Sequence, residues 1–285
     1  MTIILDETLP RPRSQRIEKA MTSQPDTHYS ELLRPLREAV AEAGKLALTK
    51  FRSNVRSWNK ENASPVSEAD LAVDNFLRER LTGIDPAIGW LSEESVDAPE
   101  RLTKDRVWIV DPIDGTRSFI AGREDWAVCA ALVERGRPVA AAIELPATGE
   151  SFAAIKGGGA TKNGRKISAS TKVQLEGAAI AWPAKLKTTA AALGNPIEVP
   201  RIHSIAVRLS RVASGEIDGA LASANANDWD LAAPDLLVHE AGGRVTDAEG
   251  RLPVYNLARH IHGVLVAAGS ELHPKLVSAL ATSLK

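Results

Sequence analysis

The chain has 285 residues, with 35 lysines and arginines against 36 aspartates and glutamates and a formal net charge of −1. That balance excludes the strongly basic surface of a nucleic-acid binder, and no apolar run reaches the length of a bilayer span, so a soluble protein without a transmembrane segment is expected. A single cysteine, Cys129, excludes an internal disulfide framework and suits a reducing, cytoplasmic setting.

Residues 1 to about 28 are rich in Pro, Arg, Thr and Ser, show no apolar period and lack the pattern of a secretory signal. A disordered tail is expected there, with Met21 as an alternative start. From Tyr29 to about Phe51, the apolar residues Leu33, Leu36, Val40 and Ala43 recur at helical spacing. Arg52 to Ser64 is polar and reads as a loop ended by Pro65. Ser67-Glu68-Ala69-Asp70 then has the form of a capping box, and Val73, Leu77 and Leu81 continue one helical face towards Gly83. Asp70 therefore falls in a first helical turn, where capping by itself accounts for an acid. Ala87 to Leu91 predicts a short strand with Glu93 and Glu94 just past its end, and adjacent glutamates are ordinarily surface charge.

Val107-Trp108-Ile109-Val110 predicts a buried strand that stops at Asp111, because Pro112 cannot donate to a sheet ladder. Asp114 follows three positions later, then Gly115 and Thr116. Two carboxylates held this close repel unless a cation lies between them. Glycine lets the backbone approach a ligand, and Thr116 opens a segment whose free N–H groups can face an anion. Asp-Pro and Asp-Gly are also common at strand exits and turns, so the competing reading is a plain loop. The chemical reading is a metal-phosphate site.

Strands follow at 126–133, 138–143 and 151–155, joined by links short enough for antiparallel hairpins, and Cys129 falls within the first as a core residue. Gly157-Gly158-Gly159-Ala160 lacks the strand-to-helix context of a phosphate loop and reads as hairpin structure. The second half alternates: a strand at 178–182, a helix at 204–214, a strand at 217–222, and a polar loop from Ser223 to Asp228 that leads to Trp229-Asp230. A helix at 231–241 is predicted with Asp230 as its N-cap and Pro234 in its first turn, followed by strands at 244–247 and 263–268 and a last helix from Pro274.

Taken together, Ser64-Pro65-Val66-Ser67-Glu68-Ala69-Asp70, Glu93-Glu94, Asp111-Pro112-Ile113-Asp114-Gly115-Thr116 and Trp229-Asp230-Leu231-Ala232-Ala233 resemble, in order and spacing, the motifs of the inositol monophosphatase-like phosphatases. That family includes inositol monophosphatases, fructose-1,6-bisphosphatases and 3'(2'),5'-bisphosphate nucleotidases. The resemblance, from about residue 29 to the C-terminus, implies an α/β (α+β) fold, a layered α-β-α-β-α sandwich with helices on two mixed sheets. It implies one phosphatase domain of two lobes, a metal and phosphate lobe over about 29–170 and a substrate lobe over about 171–285. It further implies Mg²⁺, two ions or three: Glu93, Asp111 and the Ile113 carbonyl on the first, Asp111, Asp114 and Asp230 on the second. Gly115 and Thr116 would hold the substrate phosphate, together with Asp114 and Asp230. Glu93 and Thr116, with Asp70 nearby, would position the attacking water. Lithium sensitivity and a homodimer are also usual for the family. The chain departs from the family pattern at Ser118, where asparagine is common, and matches more weakly over 201–228.

Haloacid-dehalogenase-like phosphatases also use aspartates at a strand end, but two apart rather than three, and they leave Glu93 and Trp229-Asp230 without a role. A non-catalytic scaffold would be expected to have lost one of the acidic positions, and all are present. The substrate is expected to be a small phosphorylated metabolite. Inositol-type members carry a glutamate about seven residues before the last metal aspartate, where this chain has Ser223 flanked by Ala222 and Ala224. Arg208 falls near a basic position of the bisphosphate nucleotidases and is a candidate to grip a second phosphate, against the alternative of a solvated helix face. The favoured substrate is therefore adenosine 3',5'-bisphosphate, with inositol 1-phosphate as the alternative.

Overall fold

The computed structural model describes residues 27–60, 64–186 and 193–283. The expected tail and the alternative start at Met21 lie outside them, except that a helix already begins at Thr27. A central strand, β4 (Arg106–Asp114), is apolar on both faces and buried on both. Val107 and Ile109 point into one core, and Trp108 and Val110 into another. This two-sided burial explains why its sequence is continuously apolar rather than alternating.

β4 belongs to a seven-stranded sheet with β3 (Gly89–Ser92), β5 (Ala127–Glu134), β6 (Arg137–Leu145), β7 (Glu150–Ile155), β8 (Gly159–Lys162) and β9 (Arg165–Lys166), adjacent in chain order. Only β3 and β4 run parallel; the rest form hairpins. A second sheet has the order β11 (Ile197–Glu198), β10 (Ala179–Ala181), β12 (Gly219–Ala222), β14 (Leu265–Gly269), β13 (Gly243–Asp247).

Helices α1 (Thr27–Lys50) and α2 (Glu68–Thr82) cover one face of the large sheet through Leu36, Val40, Leu77 and Leu81. Between the two sheets lie α4 (Ile205–Ala213) and α5 (Asp228–Glu240), whose apolar residues join Ile109 and Ala131 on one side to Ala220 and Ala267 on the other. The last helix, α6 (His273–Ser283), packs Leu276 and Leu280 on the outer face of the small sheet. A short helix, α3 (Thr116–Ile120), follows β4. The layers run α-β-α-β-α, as the family resemblance implies. Among the described residues no helix is long and apolar enough to cross a membrane.

Three local expectations are corrected. The polar stretch 52–64 is not all loop, because β1 (Ser57–Asn59) pairs antiparallel with β2 (Pro65–Ser67). β4 does not stop at Asp111. Its ladder with β5 pairs Asp111 with Cys129 and resumes at Asp114 opposite Ala127, so three steps on one strand face two on the other. That bulge shifts the side-chain alternation by one and lets both aspartates face the same side. The N-cap of α5 is Asn227, and Asp230 is the acidic partner of a capping box. Pro234 consequently lies one turn deeper than expected, inside the helix. The Gly157–Gly159 stretch is the hairpin structure expected, joining β7 to β8, and its Gly157 and Gly159 N–H groups donate to the two oxygens of Glu240, at 2.8 and 2.9 Å.

Candidate active site

Because β3 and β4 run parallel with Ser92 level with Val110, their ends lie side by side and set Glu93 beside Asp111. The bulge adds Asp114, and the first turn of α5 delivers Asp230 from the opposite side of the core. Oxygens of Asp111, Asp114 and Asp230 all lie within 4.8 Å of one another. The three carboxylates are held differently. Asp230 Oδ2 accepts the Asn227 N–H at 2.6 Å. Asp114 Oδ2 accepts Ser204 Oγ–H at 2.5 Å and the Ala206 N–H at 2.6 Å, so it caps the N-terminus of α4. Asp111 has no such support, since both of its oxygens are buried without a hydrogen-bond partner.

An unpaired buried carboxylate is among the most unfavourable arrangements a fold can hold. Burial, then Glu93, Asp114 and Asp230, push Asp111 well above the usual carboxylate range. Burial and the same neighbours do so for Asp230. Asp114 is pushed up to about 6 by burial, against the opposing pull of Ser204 and Ala206. Hard oxygen donors converging at this spacing fit Mg²⁺, and its double charge would offset the repulsion.

Beside this cluster, Asp70 uses Oδ2 on its own capping box, from Ser67 N–H at 2.9 Å and Ser67 Oγ–H at 2.5 Å. Its Oδ1 lies 3.1 Å from Thr116 Oγ1, which is also 3.0 Å from the Ile113 carbonyl. Burial pushes Asp70 up to about 6. Glu93 lies outside the group of three, with its carboxylate 3.1 Å from Lys60 Nζ; Lys60 also reaches Glu94 at 2.6 Å. Gly115, with φ +92°, is the N-cap of α3 and lines the cleft with Thr116, Asp114 and Asp230.

Arg208 corrects one of its two sequence readings, that of a solvated helix face. It is 4% exposed, so it is not on a solvated face. Two of its five N–H donors are engaged, Nη1 with the Leu221 carbonyl at 2.7 Å and Nη2 with the Ile202 carbonyl at 2.8 Å, and the side chain lines the cleft. Burial pushes it down to about 10. The side chain bolts the segment before α4 to the end of β12, and its charge faces Asp114. Cys129 is buried, and burial pushes its thiol well up, so it is the core residue expected.

The inositol monophosphatase family model matches residues 28–285. The chain belongs to the inositol monophosphatase family. Among relatives, it is 34% identical to the inositol-1-monophosphatase of Rhizobium meliloti over 78% of this chain and 87% of that one. It is 32% identical to the 3'(2'),5'-bisphosphate nucleotidase CysQ of Aggregatibacter actinomycetemcomitans, over 80% and 88%. A histidinol-phosphatase of Chlorobaculum parvum is also 32% identical, over 85% and 94%. Among solved structures, the extragenic suppressor protein suhB of Bartonella henselae superposes with a TM-score of 0.78 at 30% identity, covering 88% of this chain and 98% of that one. As a member of the inositol monophosphatase family, the chain is a magnesium-dependent phosphatase of phosphomonoesters.

Sequence reading missed Ser204, Ala206 and Lys60, which hold site carboxylates. Ser204 opens the helix expected at 204–214, but its partner Asp114 is 90 residues away and leaves no local trace.

The buried acids make a pH test with a definite sign. Asp70 and Asp114 are held at about 6 and Glu94 at about 7, all by burial first, while Asp111 and Asp230 are also raised. Folded protein therefore binds more protons than unfolded protein between the ordinary carboxylate range and these values, so stability falls as pH rises through that window. His273, pushed down to about 4 by burial, opposes this, but it is one group against five carboxylates. In EDTA the melting temperature is expected to rise as pH is lowered from about 8 to about 5.5, and saturating Mg²⁺ should flatten that slope. A melting temperature that climbs with pH in EDTA would contradict the reading of these acids.

Proposed function

We propose that this phosphatase acts on 3'(2'),5'-bisphosphate nucleotides, with adenosine 3',5'-bisphosphate as the leading substrate. In this reading Asp111, Asp114 and Asp230, with Glu93 and the Ile113 carbonyl, hold the magnesium ions. When bound, the metal supplies a hydroxide-like nucleophile and charge stabilisation at the leaving oxygen. The chain's own groups orient the reaction. Gly115 and Thr116 present backbone N–H groups to the phosphate, and Asp70 holds the Thr116 hydroxyl. Glu93 and Thr116 position the attacking water.

The observation that carries the substrate assignment is the lining of the cleft, about 280 Å³ in volume. Away from the metal carboxylates its wall includes Arg117, Arg201, His203 and Arg208, with Ser223 where an inositol-type enzyme would offer a glutamate. A polyol there would lose a charge-assisted hydrogen bond of about 1.5–3 kcal/mol, whereas a second phosphate meets positive charge. The CysQ relative is named for this substrate class.

The experiment is phosphate release with Mg²⁺ from adenosine 3',5'-bisphosphate, inositol 1-phosphate and histidinol phosphate. The bisphosphate should give the highest kcat/KM. A clear preference for either of the others would overturn the assignment.

A further inference from the structure

One wall of the cleft is built by a residue pair that the metal site does not use. His203 directly precedes Ser204, the N-cap of α4. Its backbone N–H donates to Asp125 Oδ2 at 2.7 Å, and its ring Nδ1 lies 2.8 Å from the same oxygen. Asp125 is fixed in turn. It immediately precedes Trp126 and strand β5, it accepts from Ser118, and Arg123 Nε lies 3.8 Å from its other oxygen. His203 is therefore anchored twice by one carboxylate, once through its backbone and once through its ring, and the ring bond sets the tautomer.

With Nδ1 committed to Asp125, Nε2 is the ring's remaining polar atom, and it has no hydrogen-bond partner among the described residues. The side chain is 24% exposed and lines the cleft that also holds Gly115, Thr116 and Asp230. Arg201 and Arg117 line the same cleft, and neither has an ionic partner among the described residues. Arg208 on the same lining already donates to two backbone carbonyls. The cleft wall thus combines carboxylates with an oriented imidazole and two guanidinium groups that have no ionic partner among the described residues.

We infer that His203, oriented by Asp125 and assisted by Arg201, is the specificity-determining residue that takes a second anionic group carried by the leaving alcohol. In the bound state Nε2–H donates to the anion and Nδ1–H donates to Asp125, with the Arg201 guanidinium on the same cleft wall. The shared ligand chemistry is an anion, either a second phosphate or a carboxylate. This inference rests on the bisphosphate reading of the same cleft.

The test compares wild type, His203→Ala, His203→Gln and Arg201→Ala on three phosphomonoesters with Mg²⁺. Adenosine 3',5'-bisphosphate carries a second phosphate, 3-phosphoglycerate a carboxylate, and inositol 1-phosphate no second anion. The ratio of kcat/KM for the two anionic esters to that for inositol 1-phosphate should fall about tenfold or more in His203→Ala, mainly through KM. His203→Gln, which keeps a donor, should recover part of it, and Arg201→Ala should lower the same ratio. The anionic ester with the larger loss identifies which anion the wall is built for. An unchanged ratio in His203→Ala, with the melting temperature of wild type, overturns the inference even if the bisphosphate is the best substrate. A wild-type preference for inositol 1-phosphate, with a ratio insensitive to His203→Ala, overturns both readings. Absence of phosphate release from all three esters overturns the bisphosphate assignment, and equal binding of adenosine 3',5'-bisphosphate by wild type and His203→Ala then overturns the role of His203 as well.

Discussion

Asp111→Asn is expected to lower phosphate release by at least about a thousandfold while leaving the fold intact and, without metal, more stable. Asp111 is the carboxylate whose two oxygens are both buried and unpaired, and it stands beside Asp114, Asp230 and Glu93. The amide has almost the same shape but no charge, and its NH₂ can donate to the neighbouring carboxylates. In EDTA the variant should gain about 1 kcal/mol, roughly 2–4 °C in melting temperature, by relief of like-charge repulsion. The stabilisation that Mg²⁺ gives the wild type should largely disappear. Calorimetry with and without Mg²⁺, beside a phosphate-release assay, reads all three effects. Wild-type turnover, or an undiminished response to Mg²⁺, would sink the placement of the metal at Asp111.

Gly115→Ala is expected to have the second-largest effect, and through the backbone rather than charge. Gly115 sits at φ +92°, which an L side chain rarely adopts. A Cβ there would lie 2.9 Å from the Asp125 carbonyl oxygen and 3.1 Å from Ser204 Cβ. Backbone strain and overpacking together should cost about 2–4 kcal/mol. The displaced neighbours are the two anchors of the site, since Ser204 holds Asp114 and Asp125 holds His203. A shift of a fraction of an ångström there should lower kcat/KM by roughly a hundredfold. Denaturant unfolding and steady-state kinetics measure the two parts, and a variant as stable and active as wild type would show that this turn is not under the constraint described.

The elements that were legible in the sequence are those whose signal is local. The apolar run before Asp111, the helical period of Leu36, Val40 and Ala43, and the Ser67–Asp70 box depend on neighbours within one or two turns. The metal-phosphate reading of 111–116 followed from residue types alone. What escaped depends on distant partners. Whether β4 ends or bulges at Pro112 is decided by how β5 pairs with it. The β1–β2 hairpin joins two strands of three residues each, one of them wholly exposed, and so carries no apolar alternation. The cap of α5 carries a local signal, since Asn227-x-x-Asp230 has the spacing of Ser67-x-x-Asp70, but Asp230 is itself a favourable cap residue and stands nearer the apolar run. Arg208 could not be read from its helix because α4 is covered on both sides by sheets, which the sequence of one helix does not announce. The pairing of Asp125 with His203 spans 78 residues and leaves no mark in either local stretch.

The division of labour within the individual carboxylates has one further consequence. Asp70, Asp114 and Asp230 each spend Oδ2 on a helix start, and only Oδ1 remains for the site. None of the three can therefore chelate an ion through both oxygens without breaking a helix N-terminus. Denticity is thus written into the secondary structure. Single-point donors suit a small ion that keeps an octahedral shell and several of its waters. They serve poorly a larger ion such as Ca²⁺, which gains much of its affinity from carboxylates that wrap around it with both oxygens. In the reading that places the metal on Asp114 and Asp230, the helix ends that hold the fold together favour the smaller of two cations of equal charge.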